Sequence, residues 1–161
     1  MNIEEIKKVL DYNPDTGVFT WKVDIAKNVK KDSVAGCKDK DGYIVISINR
    51  KQYRAHRIAY MFVHGKLENQ IDHVNRVKSD NRIINLRECT HTQNHHNVTV
   101  RSDNKLGIKG VCFKRDHYQA RITVGGIDIY LGTYDTAAEA SEVYRETAKI
   151  LHGEFFYEEN R

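Results

Sequence analysis

The chain has no cysteine pair, no long apolar run and no basic, apolar leader. Its three cysteines, Cys37, Cys89 and Cys112, are scattered and never stand as Cys-x-x-Cys. This argues against a disulfide framework and against a structural zinc site. No apolar stretch approaches the ~20 residues that span a bilayer, and the start Met1-Asn2-Ile3-Glu4-Glu5 does not resemble a targeting segment. A cytoplasmic protein with no membrane partner is therefore expected. Internal repeats and low-complexity segments are also missing.

What is present is the composition of a folding chain: 161 residues, 40% hydrophobic and 30% charged, enough for one core or two small ones. The formal charge of +4 permits a polyanionic partner without requiring one. Basic excess lies in the first part, where residues 1–98 hold 17 Lys and Arg against 12 Asp and Glu, while residues 99–161 hold 9 against 10. Within the second part Lys105, Lys109, Lys114, Arg115 and Arg121 gather in one stretch and the acids collect after Asp128. A basic face and an acidic helix are expected there.

Ile3, Ile6, Val9 and Leu10 recur at helical spacing until Asn13-Pro14-Asp15-Thr16-Gly17 stops them with turn residues. Val18 to Trp21 reads as a strand, Ser33 to Gly36 as a short extended segment and Tyr43 to Ile48 as a stronger strand. Asn49-Arg50-Lys51 returns the chain through Gln52-Tyr53-Arg54, and Ile58, Met61 and Phe62 mark a helix ended by Gly65. Short strands follow at Ile71 and Leu86, with a polar loop from Val74 to Ile84 between them. Thr90-x-x-Gln93 has the form of a capping box that starts a helix near His91. After a polar connection come strands at 110–113, 118–124 and 127–131, and Thr136-x-x-Glu139 opens a helix closed by Gly153.

Asp72-His73 at a strand end, Asn85 after a loop and Asn94 at a helix start form a strand, loop, strand and helix unit that can hold one metal ion. The Asp72 carboxylate and the Asn94 side-chain oxygen are hard ligands suited to magnesium or manganese, with water and phosphate oxygens completing the shell. Zinc fits less well. His73 projects across the strand from Asp72, placed to take a proton from an attacking water. Asn85 spans the loop backbone and holds His73 in line. His56 is expected to pack at a helix start or bond a backbone carbonyl.

At these residues a resemblance becomes specific. Ile71-Asp72-His73, Asp80-Asn81-Arg82-x-x-Asn85-Leu86-Arg87 and Gln93-Asn94 resemble the HNH homing endonucleases of phages. Tyr12 to Trp21, Asp41-Gly42-Tyr43 and His56-Arg57-x-Ala59-Tyr60 resemble the amino-terminal part of the same proteins, so the likeness covers roughly residues 3–97. It implies a ββα-metal fold with Asp72 and Asn94 as metal ligands, His73 as general base and Asn85 as the orienting asparagine. Many such enzymes carry a histidine at the place of Asn94, which leaves His95, His96 and Asn97 as alternative contacts. Helical neighbours lie ~100° apart and cannot all point inward; Asn97, three on, shares the face of Asn94.

Lys109-Gly110-Val111, Gln119-Ala120-Arg121-Ile122, Tyr130 to Ala140 and Gly153-Glu154-Phe155 resemble the ethylene-response-factor type of DNA-binding domain over about residues 105–156. That likeness implies a three-stranded antiparallel sheet laid in the major groove with one helix behind it. Lys109, Lys114, Arg115, Arg121, Thr123 and Tyr130 would fall on the strands facing DNA, offering phosphate contacts and base-edge donors.

The expectation is an α+β protein: an HNH nuclease domain at 1–98, a linker at 99–104 and a DNA-binding domain at 105–161. Its activity would be metal-dependent hydrolysis of phosphodiester bonds in double-stranded DNA, as a phage homing-type nicking enzyme, acting as monomer or dimer. The alternative is a catalytically silent DNA-binding regulator that retains the fold.

Overall fold

The computed structural model describes residues 3–96 and 104–156, without the side chains of Thr92, His95, His96 and Glu154. The chain forms two compact units that divide between Thr90 and His91. It mixes α-helices with small antiparallel sheets. Among the described residues no helix is long and apolar enough to cross a membrane.

The first unit opens with helix α1, Ile3–Val9, followed without a break by β1, Leu10–Asn13, and then β2, Val18–Trp21. The helical spacing of the sequence carries through Leu10, but Leu10 is a strand residue paired with Trp21 and 1% exposed. Seven residues of helix are too few to be stable alone, and burial of Leu10 against the second strand decides where α1 ends. The β1–β2 turn is set by Asn13, whose Oδ1 accepts hydrogen bonds from the Asp15 and Thr16 amides at 3.0 and 3.1 Å. Residues 33–35 run beside β2, with Trp21 N donating to Ser33 O and Ala35 N to Phe19 O.

Strands β3, Cys37–Lys38, β4, Ile44–Ile48, and β5, Lys51–Arg54, form an antiparallel sheet in that order. Asn49 and Arg50 make the two-residue hairpin loop with positive φ of 49° and 62°. Helix α2, Ala55–His64, ends at Gly65 in the left-handed conformation, its N–H bonded to Met61 O. The fully buried Leu10, Phe19, Ile46 and Ile58 are drawn from β1, β2, β4 and α2, each contributing ~1.5–3 kcal/mol by burial. Tyr12, Phe19 and Phe62 pack ring on ring around them, Tyr12 and Phe19 stacked at 4.6 Å. Strands β6, Gln70–His73, and β7, Leu86–Cys89, complete the unit as an antiparallel pair. The loop joining them closes through a short 3₁₀ turn at Ile83–Asn85.

The second unit begins with helix α3, His91–His96, at the position the capping box predicts. Strands β8, Val111–Lys114, β9, His117–Val124, and β10, Ile127–Tyr134, form one antiparallel sheet with β9 in the middle. Helix α4, Ala137–His152, carries the predicted capping box in full: Glu139 N donates to Thr136 Oγ1 and Thr136 N to Glu139 Oε2. It lies on the sheet through small residues, since Ala120, Ala140 and Ala148 are all 0% exposed. Tyr144 is the large exception, and Gly110 makes room for it: a Cβ there would stand 2.1 Å from the Tyr144 ring. Lys109 lies in the turn before β8 and Arg115 in the β8–β9 turn, at φ 52°. Neither is on a strand, as the sequence places them, because the two-residue turn takes Arg115 and Asp116 for its positive-φ positions.

Gly110→Ala is expected to cost roughly 2–4 kcal/mol, from overlap with Tyr144 and from its φ of 73°. Urea denaturation measures it, and a loss below about 1 kcal/mol would mean that Tyr144 can move aside.

Candidate active site at the end of β6

Strand β6 buries three consecutive residues, Ile71, Asp72 and His73, at 7%, 7% and 4% exposure. Ile71 belongs to the hydrophobic core, whereas two adjacent polar side chains at this depth need partners. Register supplies the first partner. Asp72 stands opposite Arg87 of β7, and Arg87 Nη2 and Nε both donate to Asp72 Oδ2, at 2.8 and 3.0 Å.

His73 points to the other face of the strand. Its Nε2 lies 3.3 Å from Oδ1 of Asn81, itself 2% exposed. An amide oxygen can only accept, so Nε2 carries the proton and Nδ1 the lone pair. Burial lowers the pKa of this imidazole, opposed by the Asn81 hydrogen bond and by the Asp72 and Asp80 carboxylates. The result is a neutral ring with a basic nitrogen.

The loop that presents Asn81 is closed from within and from outside. Inside it, Asn85 receives a hydrogen bond from Asn75 N at 2.9 Å and gives one to Asp80 O at 2.8 Å, spanning the loop as expected. Asp80 is clasped by Arg82 Nη2 and Nε at 2.6 and 2.8 Å and by Asn75 Nδ2 at 2.7 Å. These bonds, those from Arg82 first, hold its carboxyl down at about 2. From outside, the β1–β2 hairpin presses on the loop. Tyr12 Oη donates to Asn81 O at 2.7 Å, and Ile83 N bonds Pro14 O. A Cβ on Gly17 would stand 2.5 Å from Arg82 N and from the Asn81 carbonyl carbon. His73 is thus oriented through Asn81, with Asn85 acting on the loop rather than on the ring.

Besides Asn81, two residues beside His73 escaped the sequence reasoning as members of the site. His56, the second residue of α2, is 5% exposed, and its ring meets the His73 ring edge to face at 4.9 Å. It packs at a helix start as expected, but against the candidate base, and its Nδ1 has no hydrogen-bond partner. Tyr43 lies 5.3 Å from His56 and 5.9 Å from His73, ring to ring. The His56-Arg57-x-Ala59-Tyr60 and Asp41-Gly42-Tyr43 motifs were the available signals.

Asn94 lies on α3, in the second unit. Asn97, weighed as its alternative, falls outside the described residues, as do the side chains of His95 and His96. Among the described residues no group of three or more His, Cys, Asp or Glu side chains is placed to hold a metal ion. One carboxylate and one amide oxygen are a hard, sparse donor set, compatible with magnesium or manganese only if water and phosphate oxygens fill the shell. On the second sheet, Arg121, Thr123 and Tyr130 are exposed on the face opposite the buried Ala120 and Ile122, and Lys114 is exposed on β8. Arg121 is partly offset there by Asp128, bonded at 2.8 Å.

Burial foremost, with the Arg54 and Arg57 charges and that of His73 whenever it is protonated, pushes the His56 imidazole down to about 3. The unfolded chain takes up this proton near 6.5 and the folded one does not, so stability should fall as pH drops from about 6.5 toward 3, by up to ~1.4 kcal/mol per pH unit. His56→Phe should flatten that dependence in urea titrations at pH 7, 6, 5 and 4; equal slopes in both proteins would refute this. Gly17→Ala should cost roughly 2–4 kcal/mol and shift the His73 imidazole resonances in NMR spectra. Unmoved resonances would mean that the hairpin does not set Asn81.

The segment around this site is similar to known proteins. Residues 53–96 match the family described as HNH endonuclease. The chain is 32% identical over 119 residues to an uncharacterized HNH endonuclease of Acanthamoeba polyphaga mimivirus, an alignment covering 72% of this chain and 62% of that protein. It therefore spans less than two thirds of the viral relative's length. A solved structure titled as DNA binding and cleavage by the HNH homing endonuclease I-HmuI aligns at TM-score 0.48 and 20% identity, over 99% of this chain and 92% of that one. The segment that carries Asp72, His73, Asn81 and Asn85 is an HNH endonuclease family domain.

Proposed function

We propose that the protein is a metal-dependent DNA endonuclease that hydrolyses phosphodiester bonds, a phage homing-type nicking enzyme. The observation that carries this reading is a buried neutral histidine, His73, oriented by Asn81 and adjacent to the Asp72 carboxylate. Its Nδ1 takes the proton of a water as the water attacks phosphorus, and the products are a 5′-phosphate and a 3′-hydroxyl. Asn85 keeps the loop closed, so Asn81 and the imidazole hold their alignment. Asp72 and Asn94 would hold one magnesium or manganese ion. When bound, that ion supplies charge stabilisation at the phosphate and the departing oxygen.

In this reading α3 belongs to the nuclease part, residues 1–98, although it groups compactly with the second unit. The part from 105 onward, joined through 99–104, works as an ethylene-response-factor-like domain. Its outer sheet face meets double-stranded DNA through Lys114, Arg121, Thr123 and Tyr130, with Lys109 and Arg115 contributing from the turns. One centre cuts one strand, and a double-strand break needs a dimer or two visits.

The Arg87 pair favours a second reading, because it already neutralises Asp72. A DNA-binding regulator that retains the fold would need nothing more at that carboxylate. Incubation of supercoiled plasmid with the protein and magnesium separates the two. The enzyme should give open circles, and His73→Ala should slow their appearance ~10²–10⁴-fold. Plasmid left intact by the wild-type chain would decide for the regulator.

A further inference from the structure

We propose that Arg54 and Lys78, stacked on Tyr43, form a phosphate-binding wall beside His73 that takes one backbone phosphate of the DNA. The inference rests on the reading of His73 as the centre of a DNA-cleaving site and adds a substrate contact that the HNH motif does not contain.

Three separate segments converge on one ring. Tyr43 immediately precedes β4, Arg54 is the last residue of β5 and Lys78 comes from the β6–β7 loop. The Arg54 guanidinium carbon lies 4.0 Å from the centre of the Tyr43 ring and Lys78 Nζ 4.9 Å from it. The same ring lies 5.9 Å from that of His73. An aromatic face attracts a cation, but two cations on one ring also repel each other, and an anion between them would relieve that repulsion.

The hydrogen bonds of the nearby arginines differ in kind. Arg82 and Arg87 each place two donors on a carboxylate within 3.0 Å. Arg54 is different. Its Nη1 is 3.7 Å from Asp39 Oδ2 and its Nη2 4.0 Å from Asp41 Oδ2, ion-pair contacts too long for hydrogen bonds. Nη1 is buried with no hydrogen-bond partner, while the side chain as a whole is 39% exposed. Asp39 is occupied as a turn anchor, its Oδ1 accepting from the Asp41 and Tyr43 amides at 2.9 Å each. The guanidinium is therefore held in place by a ring and two distant charges, with the donors other than Nη1 unspent on its exposed side, and a planar guanidinium edge matches a phosphate. Lys78 Nζ spends one of three donors on Asp41 O at 3.1 Å and is otherwise exposed.

The test is binding of a fluorescent duplex by the 161-residue His73→Ala chain, compared with the same chain carrying Arg54→Gln or Lys78→Gln, across a salt series. Each substitution should weaken binding roughly 3–10-fold and make the slope of log affinity against log salt shallower by about 0.9. Tyr43→Leu should reproduce part of both effects and Tyr43→Phe neither. Lys78 is exposed, so Lys78→Gln keeps the test decisive even where Arg54→Gln fails to fold. Unchanged affinity and slope in folded Lys78→Gln would overturn the proposal. Plasmid cleavage by the otherwise wild-type chain runs alongside. His73-dependent nicking with unaltered salt slopes removes the phosphate wall and leaves the endonuclease. Shallower slopes without any nicking leave the wall and remove the cleavage chemistry.

Discussion

The first unit depends on closure of the loop between β6 and β7. That loop is polar and lacks the ladder bonds of a strand, so it has to be held by specific hydrogen bonds and by contact with something rigid. Asn85 bridges its two sides from within, while the β1–β2 hairpin bears on it from outside with no room for a side chain at Gly17. The hairpin is in turn fixed by the aromatic packing of Tyr12 and Phe19 on Phe62. A hydrophobic cluster at one end of the chain thus sets the angle of an imidazole in the middle of it, through the Tyr12 to Asn81 and Asn81 to His73 bonds. The Tyr12 hydroxyl, raised to about 12 mainly by burial, stays a donor across the physiological range.

Charge is handled in three different ways around that loop. Arg82 and Asp80 form a tight pair at the surface that shapes the turn, and solvent screening makes its energetic worth small. Arg87 and Asp72 are shielded, with side chains 15% and 8% exposed, so losing either partner would leave a charge in a poor solvent. Arg54 sits on an aromatic face and only approaches its carboxylates. The three arginines accordingly suit different work: building the loop, balancing the site's carboxylate and meeting an anion from outside.

The second unit solves a simpler problem. A three-stranded sheet has one face to bury, and α4 covers it at close range because Ala120, Ala140 and Ala148 replace larger side chains and Gly110 yields to Tyr144. Two-residue turns with positive φ at Arg115, Asp116, Gly125 and Gly126 hold the strands in register. The outer face is left with Arg121, Thr123, Asp128 and Tyr130, polar and paired across β9 and β10.

Local chemistry in the sequence determined most elements of this protein. The capping box at Thr136 and Glu139, the Gly65 stop, the Asn13 turn and the alternation in β4 and β9 each act over a few residues, so each is visible in a few residues. The sequence also marked out the proposed site, because Asp72, His73 and Asn85 stand close together along it. Tertiary structure decided what surrounds them. Leu10 left its helix because Trp21 was available to pair with it, and Asp72 gained Arg87 through strand register. His73 gained His56, Tyr43 and Asn81 because α2, the start of β4 and the hairpin-braced loop pack around β6. Most of these contacts join segments far apart in the chain, and even Asn81, eight residues from His73, is set in place by the hairpin that braces its loop; burial and the fit of backbones decide them.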